Sequence, residues 1–370
     1  MRRDAVPGNT WDRCNPADLG FNPTRLQQVL DDAARAEPGA PSDLTRMMPD
    51  GSRHPNDRPL GPVKPRGLPS GLVVRGGQIA GSYGDITAPE VTFSVTKSYI
   101  SACAGLADLL ALLDEPVGNR ITDGGYDTAQ NQMITWRQML QQTSEWEGEL
   151  FGLPDWLDRG RQVGGDAATE QGTVGASAAA AQPRELARPG TFWEYNDVRV
   201  NRMALNITRL TGRPLPELLR ENIMDPLGAS ADWSWHGYET SWIQLNGMRV
   251  QSVSGGAHWG GGLWISTLDH ARFGLLYLRE GRWGKRQLLP GEWIRESLRP
   301  CAIRPDYGFF WWLNHAGAIA SMASPAAFAA RGAGGNVIFV DPETDVVIVL
   351  RWSKQPGDTI NKILETLTLA

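Results

Sequence analysis

Two β-branched segments lie near opposite ends of this 370-residue chain. Toward the start, "GLVVRGGQIAGSYG" (71–84) joins two short apolar runs at Gly76-Gly77, and glycine supplies the positive φ that a tight hairpin turn requires. Toward the end, "NVIFVDPETDVVIVLRW" (336–352) sets two similar runs around an Asp-Pro-Glu-Thr-Asp turn. A lone hairpin is marginal in water. The pattern therefore predicts one antiparallel sheet built from both chain ends, with the intervening chain supplying helices: an α+β fold.

The intervening chain reads accordingly. "NPTRLQQVLDDAARA" (22–36) offers Asn22 as a cap, Pro23 at the first helical position and apolar residues at helical spacing. Residues 94–113 read as a largely buried helix, 135–142 as a shorter one, and 197–224 as two helices broken at Gly212-Arg213-Pro214. "TINKILETLTL" closes the chain as a helix. Residues 37–69 are rich in Pro, Gly, Asp and Arg without a period and read as a surface excursion, and 150–190 lack a strong period. The expected organisation is one domain, with a sheet-forming body over about 1–90 and 285–370 and a mostly helical part over about 91–284.

Composition narrows the function classes. A hydrophobic content of 41% supports a sizeable core, and a formal charge of −5 with no dense Lys/Arg run gives no footprint for nucleic acid. The most apolar run, "SACAGLADLLALL", falls short of the ~18 uninterrupted apolar residues of a membrane span and is broken by Asp108. The N-terminal arginines are followed by no apolar stretch, so a secretory signal is not expected. Cys14, Cys103 and Cys301 are odd in number and far apart, which suits a reducing, cytoplasmic setting better than a disulfide framework. His54, His236, His270 and His315 show no metal spacing.

The chemistry-bearing stretch is "VTFSVTKSY" (91–99). Residues i and i+3 share a helix face, so Ser94 Oγ and the Lys97 amine can meet if a helix starts near Phe93. A serine at a helix N-terminus also presents its amide to a forming oxyanion, and an apolar setting favours the neutral amine of a lysine, which can take the serine proton. The alternative is two polar residues on an ordinary helix, since short motifs recur by chance.

Five segments in order resemble the serine β-lactamase and penicillin-binding protein superfamily: "FSVTKSY", "ITWRQMLQQTSEWEG", "PGTFWEYNDVRVN", "GGGLWISTLDHARFG" and "RGAGGNVIFVDPETDVVIVL", together spanning residues 92 to 350. Their details are most similar to the class C β-lactamase-like branch of carboxylesterases and 6-aminohexanoate-oligomer hydrolases. The resemblance implies a class C β-lactamase-like fold with Ser94 as nucleophile, Lys97 as its activator and Tyr195 as acid/base; without the flanking motif, Tyr195 reads as a core aromatic. It also implies an oxyanion hole from the amides of Ser94 and Gly335, with Gly334 and Asn336 on the substrate-facing glycine-rich edge.

Two departures stand out. Asp197 replaces the usual Asn two residues after the tyrosine, where its carboxylate can hold Lys97 protonated, pair with Arg199 or meet substrate. Gly332, Ala333 and Gly334 stand where β-lactam-recognising members carry a cation and a hydroxyl, with Arg331 one residue early. Trp146, Trp156, Trp259 and Trp311 are candidates to wall an acyl pocket, with core packing as the alternative for each. His258 is a structural or substrate-contacting histidine, because no Gly-x-Ser-x-Gly elbow accompanies it. The expectation is a cofactor-independent, metal-free hydrolase of a small ester, with a short linear amide as the alternative and weak β-lactamase or D-aminopeptidase activity behind it. A non-catalytic peptide-binding relative is the contrasting class, and retention of Ser94, Lys97 and Tyr195 together speaks against it.

Overall fold

The computed structural model describes residues 6–44, 61–62, 64–159, 184–256 and 262–368. Much of the 37–69 excursion and of the 150–190 stretch lies outside these residues. Helix α1 (Pro23–Arg35) begins as its sequence dictates: the Asn22 side chain accepts from the Arg25 amide, and Pro23 fills the first turn where its missing donor costs nothing.

The two terminal hairpins form a single six-stranded antiparallel sheet. Its strands are β1 (Ser70–Arg75) and β2 (Gln78–Tyr83) from the early segment, then β6 (Trp312–Leu313), β7 (Phe328–Gly332), β8 (Asn336–Asp341) and β9 (Val346–Arg351) from the late one. The order is β6-β7-β8-β9-β1-β2. β1 pairs with β9 from Ser70↔Arg351 to Arg75↔Val346, so the early and late segments are zipped together within the sheet. Both faces of β9 are buried, which is why it reads as a continuous β-branched run. A three-stranded sheet lies beside it: β3 (Glu90–Val91), β4 (Ser234–His236) and β5 (Gly262–Ile265), with β5 in the middle.

The remaining helices are α2 (Thr96–Leu106), α3 (Trp136–Leu140), α4 (Asp197–Thr211), α5 (Leu215–Leu219), α6 (Thr267–Leu278), a short helix over Gly291–Ser297, and α7 (Pro356–Leu364). α6 lies on one face of the large sheet, where Gly274 brings its backbone against Ile338 and Val347. On the opposite face Gly81 of β2 leaves room for Leu30 of α1. The helix expected over 94–113 is shorter: Asp108 takes a left-handed conformation (φ 54°) that ends α2 and hands the chain to a 3-10 turn over Leu109–Leu112. The break at Gly212 is as the sequence indicates, with φ 64° at the helix end.

Candidate active site

Ser94 sits in a 3-10 turn, Phe93–Val95, that runs directly into α2. Phe93 has φ 48°, a strained conformation for a bulky residue. Its ring is fixed edge-on against Trp352, with centroids 6.3 Å apart. The turn is gripped by glycine backbone from two sides. A Cβ on Gly256 would lie 2.0 Å from the Phe93 carbonyl oxygen, and one on Gly332, at the end of β7, would lie 2.3 Å from the Thr92 oxygen and 3.2 Å from the Ser94 nitrogen. A side chain at either position would collide with the backbone of this turn, so both contacts require glycine.

One turn further, Lys97 is 1% exposed. Its Nζ donates to Ser94 Oγ at 2.7 Å and to the Gly255 carbonyl at 3.2 Å, and Asp197 Oδ1 lies 2.7 Å away. The Gly255 amide in turn donates to Asn201 Oδ1 at 2.8 Å, which anchors that carbonyl to α4. Tyr195 is 4% exposed, and the Lys97 amine lies 4.9 Å from its ring centroid.

Local sequence explains how Tyr195 and Asp197 arrive together. Asn196 is the cap of α4, its side chain accepting from the Arg199 amide at 3.1 Å. Tyr195 immediately precedes the cap and Asp197 is the first helical residue, where a carboxylate is favoured by the helix dipole. The Asn196 amide donates to Gln142 Oε1, and Gln142 Nε2 donates to the Tyr307 hydroxyl at 2.8 Å, tying this corner to the "QQTSEW" segment. Tyr195 stacks on Trp312 (centroids 6.1 Å apart), while Trp193 and Tyr307 complete an aromatic cluster. Burial, reinforced by the neighbouring Tyr195, pushes the Tyr307 hydroxyl well above its ordinary pKa, so Tyr307 is a neutral wall of the site.

Arg199, the other sequence-level partner for Asp197, is engaged elsewhere. It reaches Glu145 at 2.8 Å, Glu194 at 3.1 Å and Asp155 at 3.2 Å, and its Nε donates to the Trp146 carbonyl. Arg184 joins the same cluster through Glu145 and Glu194. Asp197 is itself 1% exposed and lies against Lys97, so it is a partner of the lysine.

The other predicted positions fare differently. Gly335 faces the Ser353 backbone, with a Cβ there 1.7 Å from the Ser353 oxygen, and it is Gly332, three residues earlier, that adjoins the Ser94 amide. Gly332 pairs with Asn336 across the β7–β8 turn. Gly334 lies in that turn with φ 76°, against the Trp352 ring. Asn336 is fully buried, donating to the Ala333 carbonyl and accepting from Arg351, and so braces the turn. Trp146 is a core residue, 1% exposed, with its indole donating to the Gly125 carbonyl. Trp311 is buried against Phe273 and Tyr277, whereas Trp156 is 45% exposed. His258 and Trp259 lie outside the described residues.

Sequence reasoning missed Gly255, Gly256, Phe93, Trp312 and Tyr307. The glycine cluster of "SGGAHWGGGL" is the available signal for the first two, because glycines mark close backbone approach, and the aromatic run "YGFFWWLN" (307–314) is the signal for Trp312 and Tyr307.

Among the described residues, no helix is long and apolar enough to cross a membrane, and no group of three His, Cys, Asp or Glu is placed to hold a metal ion. The fold has relatives among solved structures. A penicillin-binding protein homolog from Caulobacter crescentus superposes with TM-score 0.61 at 15% identity, covering 97% of this chain and 99% of that one. A putative 6-aminohexanoate-dimer hydrolase from Bacillus anthracis gives TM-score 0.56 at 18% identity, covering 98% and 96%. EstCE1, a hydrolase with promiscuous acyltransferase activity, gives 0.55 at 16% identity, covering 95% and 99%. No curated protein sequence matches the chain. The Beta-lactamase family model matches residues 72–369, four-fifths of the sequence and all of the site described above, and the chain therefore belongs to the beta-lactamase family of serine hydrolases.

Proposed function

We propose that this protein is a cofactor-independent serine hydrolase that cleaves a small carboxylic ester through an acyl-enzyme at Ser94. The observation that carries the reading is the buried Lys97 amine 2.7 Å from Ser94 Oγ with the Tyr195 ring beside it. Ser94 Oγ attacks the carbonyl carbon while its proton passes to Lys97. The oxyanion is held by the Ser94 amide together with backbone of the β7 end at Gly332. Tyr195 hands a proton to the leaving oxygen, the acyl-enzyme forms, and water releases the acid by the reverse relay.

Esters are favoured over amides because an alkoxide leaving group demands less proton delivery than an amine. The amide alternative is supported by the likeness to the 6-aminohexanoate-dimer hydrolase fold. A β-lactam is disfavoured: a Cβ at Gly332 would stand 2.3 Å from the Thr92 oxygen, so no cationic side chain fits at that position to grip its carboxylate, and the neighbouring Arg331 lies over the Trp312 ring. Cys14, Cys103 and Cys301 are all free thiols, which supports a cytoplasmic setting.

The test is covalent. Incubation with a fluorophosphonate should add one phosphonyl mass to the wild type and none to Ser94→Ala, and the same substitution should abolish p-nitrophenyl butyrate hydrolysis. Labelling or turnover that survives Ser94→Ala overturns the assignment.

A further inference from the structure

The Lys97 amine lies against Ser94 Oγ, the Gly255 carbonyl and Asp197 Oδ1. The carbonyl and the carboxylate can only accept. A carboxylate as deeply buried as Asp197 requires a compensating charge, and the adjacent lysine supplies it as an ammonium. An ammonium has no lone pair. It can take the Ser94 proton only by giving up one of its own, and between the Gly255 carbonyl and the Asp197 carboxylate it is the carboxylate that can store a proton. The other cation near Asp197, Arg199, is held by Glu145, Glu194 and Asp155 and does not compete.

Resting on the serine-hydrolase reading, we infer that Asp197 is the terminal proton store of a Ser94–Lys97–Asp197 relay. As Oγ bonds to the substrate carbonyl carbon, the Ser94 O–H proton moves to Lys97 Nζ and an N–H proton of Lys97 moves to Asp197 Oδ1. Lys97 stays an ammonium, Asp197 becomes a neutral acid, and the negative charge appears on the substrate oxygen. When the tetrahedral intermediate collapses, Tyr195 gives its proton to the leaving oxygen and recovers one from Lys97, which retrieves the proton stored on Asp197. The charges balance at every stage. An asparagine at this position cannot perform the store step, so the departure from the family pattern acquires a role.

The test reads protons in motion. Initial rates of p-nitrophenyl butyrate hydrolysis by the wild type, measured in H2O/D2O mixtures, should curve downward with deuterium fraction, as two protons moving in one transition state require. Asp197→Asn, nearly isosteric, should lower kcat by a factor on the order of 10² with KM within about threefold, and its residual rate should depend linearly on deuterium fraction. Asp197→Glu should recover part of kcat and the curvature. A linear wild-type dependence, or Asp197→Asn with kcat within threefold of wild type, overturns the relay. The wild-type measurement needs no variant to fold. Fluorophosphonate labelling in parallel separates the two ideas: an unlabelled Ser94 sinks the hydrolase reading, whereas a labelled Ser94 with a linear wild-type dependence sinks the relay alone.

Discussion

Adding one methyl group at Gly332 isolates the role of the β7 end. The Cβ of Gly332→Ala would stand 2.3 Å from the Thr92 carbonyl oxygen, about 1 Å inside ordinary van der Waals contact, and 3.1 Å and 3.2 Å from the Val95 and Ser94 nitrogens. All three neighbours are backbone atoms, so no rotamer change relieves the clash. Either β7 or the nucleophile turn must move by something approaching 1 Å. Displacement of that order in a preorganised site costs roughly 10²-fold in rate, while overpacking costs about 1–3 kcal/mol of stability. The assay is kcat/KM for p-nitrophenyl butyrate together with the urea midpoint, with Gly8→Ala as a control because no atom lies within 4 Å of its Cβ position. Gly332→Ala should lose on the order of 10²-fold in kcat/KM and the control nearly nothing. Wild-type efficiency in Gly332→Ala would refute the claim that this backbone abuts the reacting serine in solution.

Further expectations concern the proton machinery and its scaffold. Lys97→Ala and Tyr195→Phe should each lower kcat by a factor on the order of 10² or more, and the double variant should lose far less than the product, because members of one relay are not additive; multiplicative losses in kcat would show that they act separately. Glu145 is buried between Arg184 and Arg199. Burial alone would raise its carboxyl pKa, but the hydrogen bond from Arg184 and the charge of Arg199 overcome this and hold it below its ordinary 4.5. Its stabilising contribution is thus present above that value and lost as pH falls through the folded one. Glu145→Gln should cost about 3 kcal/mol at pH 7, with the gap to wild type closing in strong acid. Urea midpoints at about pH 7 and pH 3 measure it, and a pH-independent gap would contradict the ion-pair account.

Much of this architecture is legible from local rules. The hairpin at Gly76-Gly77, the Asn22 cap and the helix break at Gly212 each depend on residues adjacent in sequence, and each stands where its chemistry puts it. Ser94 and Lys97 are legible for the same reason, being one turn apart. The choice of Lys97 over Arg199 as the partner of Asp197 is not, because it depends on α4 crossing to α2 and on Glu145, Asp155 and Glu194 claiming the arginine first. That Gly332 adjoins the Ser94 amide is hidden for a related reason: motif spacing does not reveal how β7 runs past the turn that carries the serine. The walls of the site were the least readable, since Trp146 and Trp311 differ from Trp312 only in what the tertiary fold packs against them.

The seam between β1 and β9 has a consequence for biosynthesis. Its paired residues are separated by roughly 270 positions along the chain. At the usual pace of 5–20 residues per second, a β1–β2 hairpin leaving the ribosome waits on the order of 15–50 s for the strand that will cover its edge. During that interval Leu72, Val73 and Val74, all but wholly buried in the finished molecule, have no native neighbour on one side. Capture by a holdase or by another nascent copy would compete with completion of the sheet, so a higher growth temperature or expression rate is expected to lower the yield of folded protein.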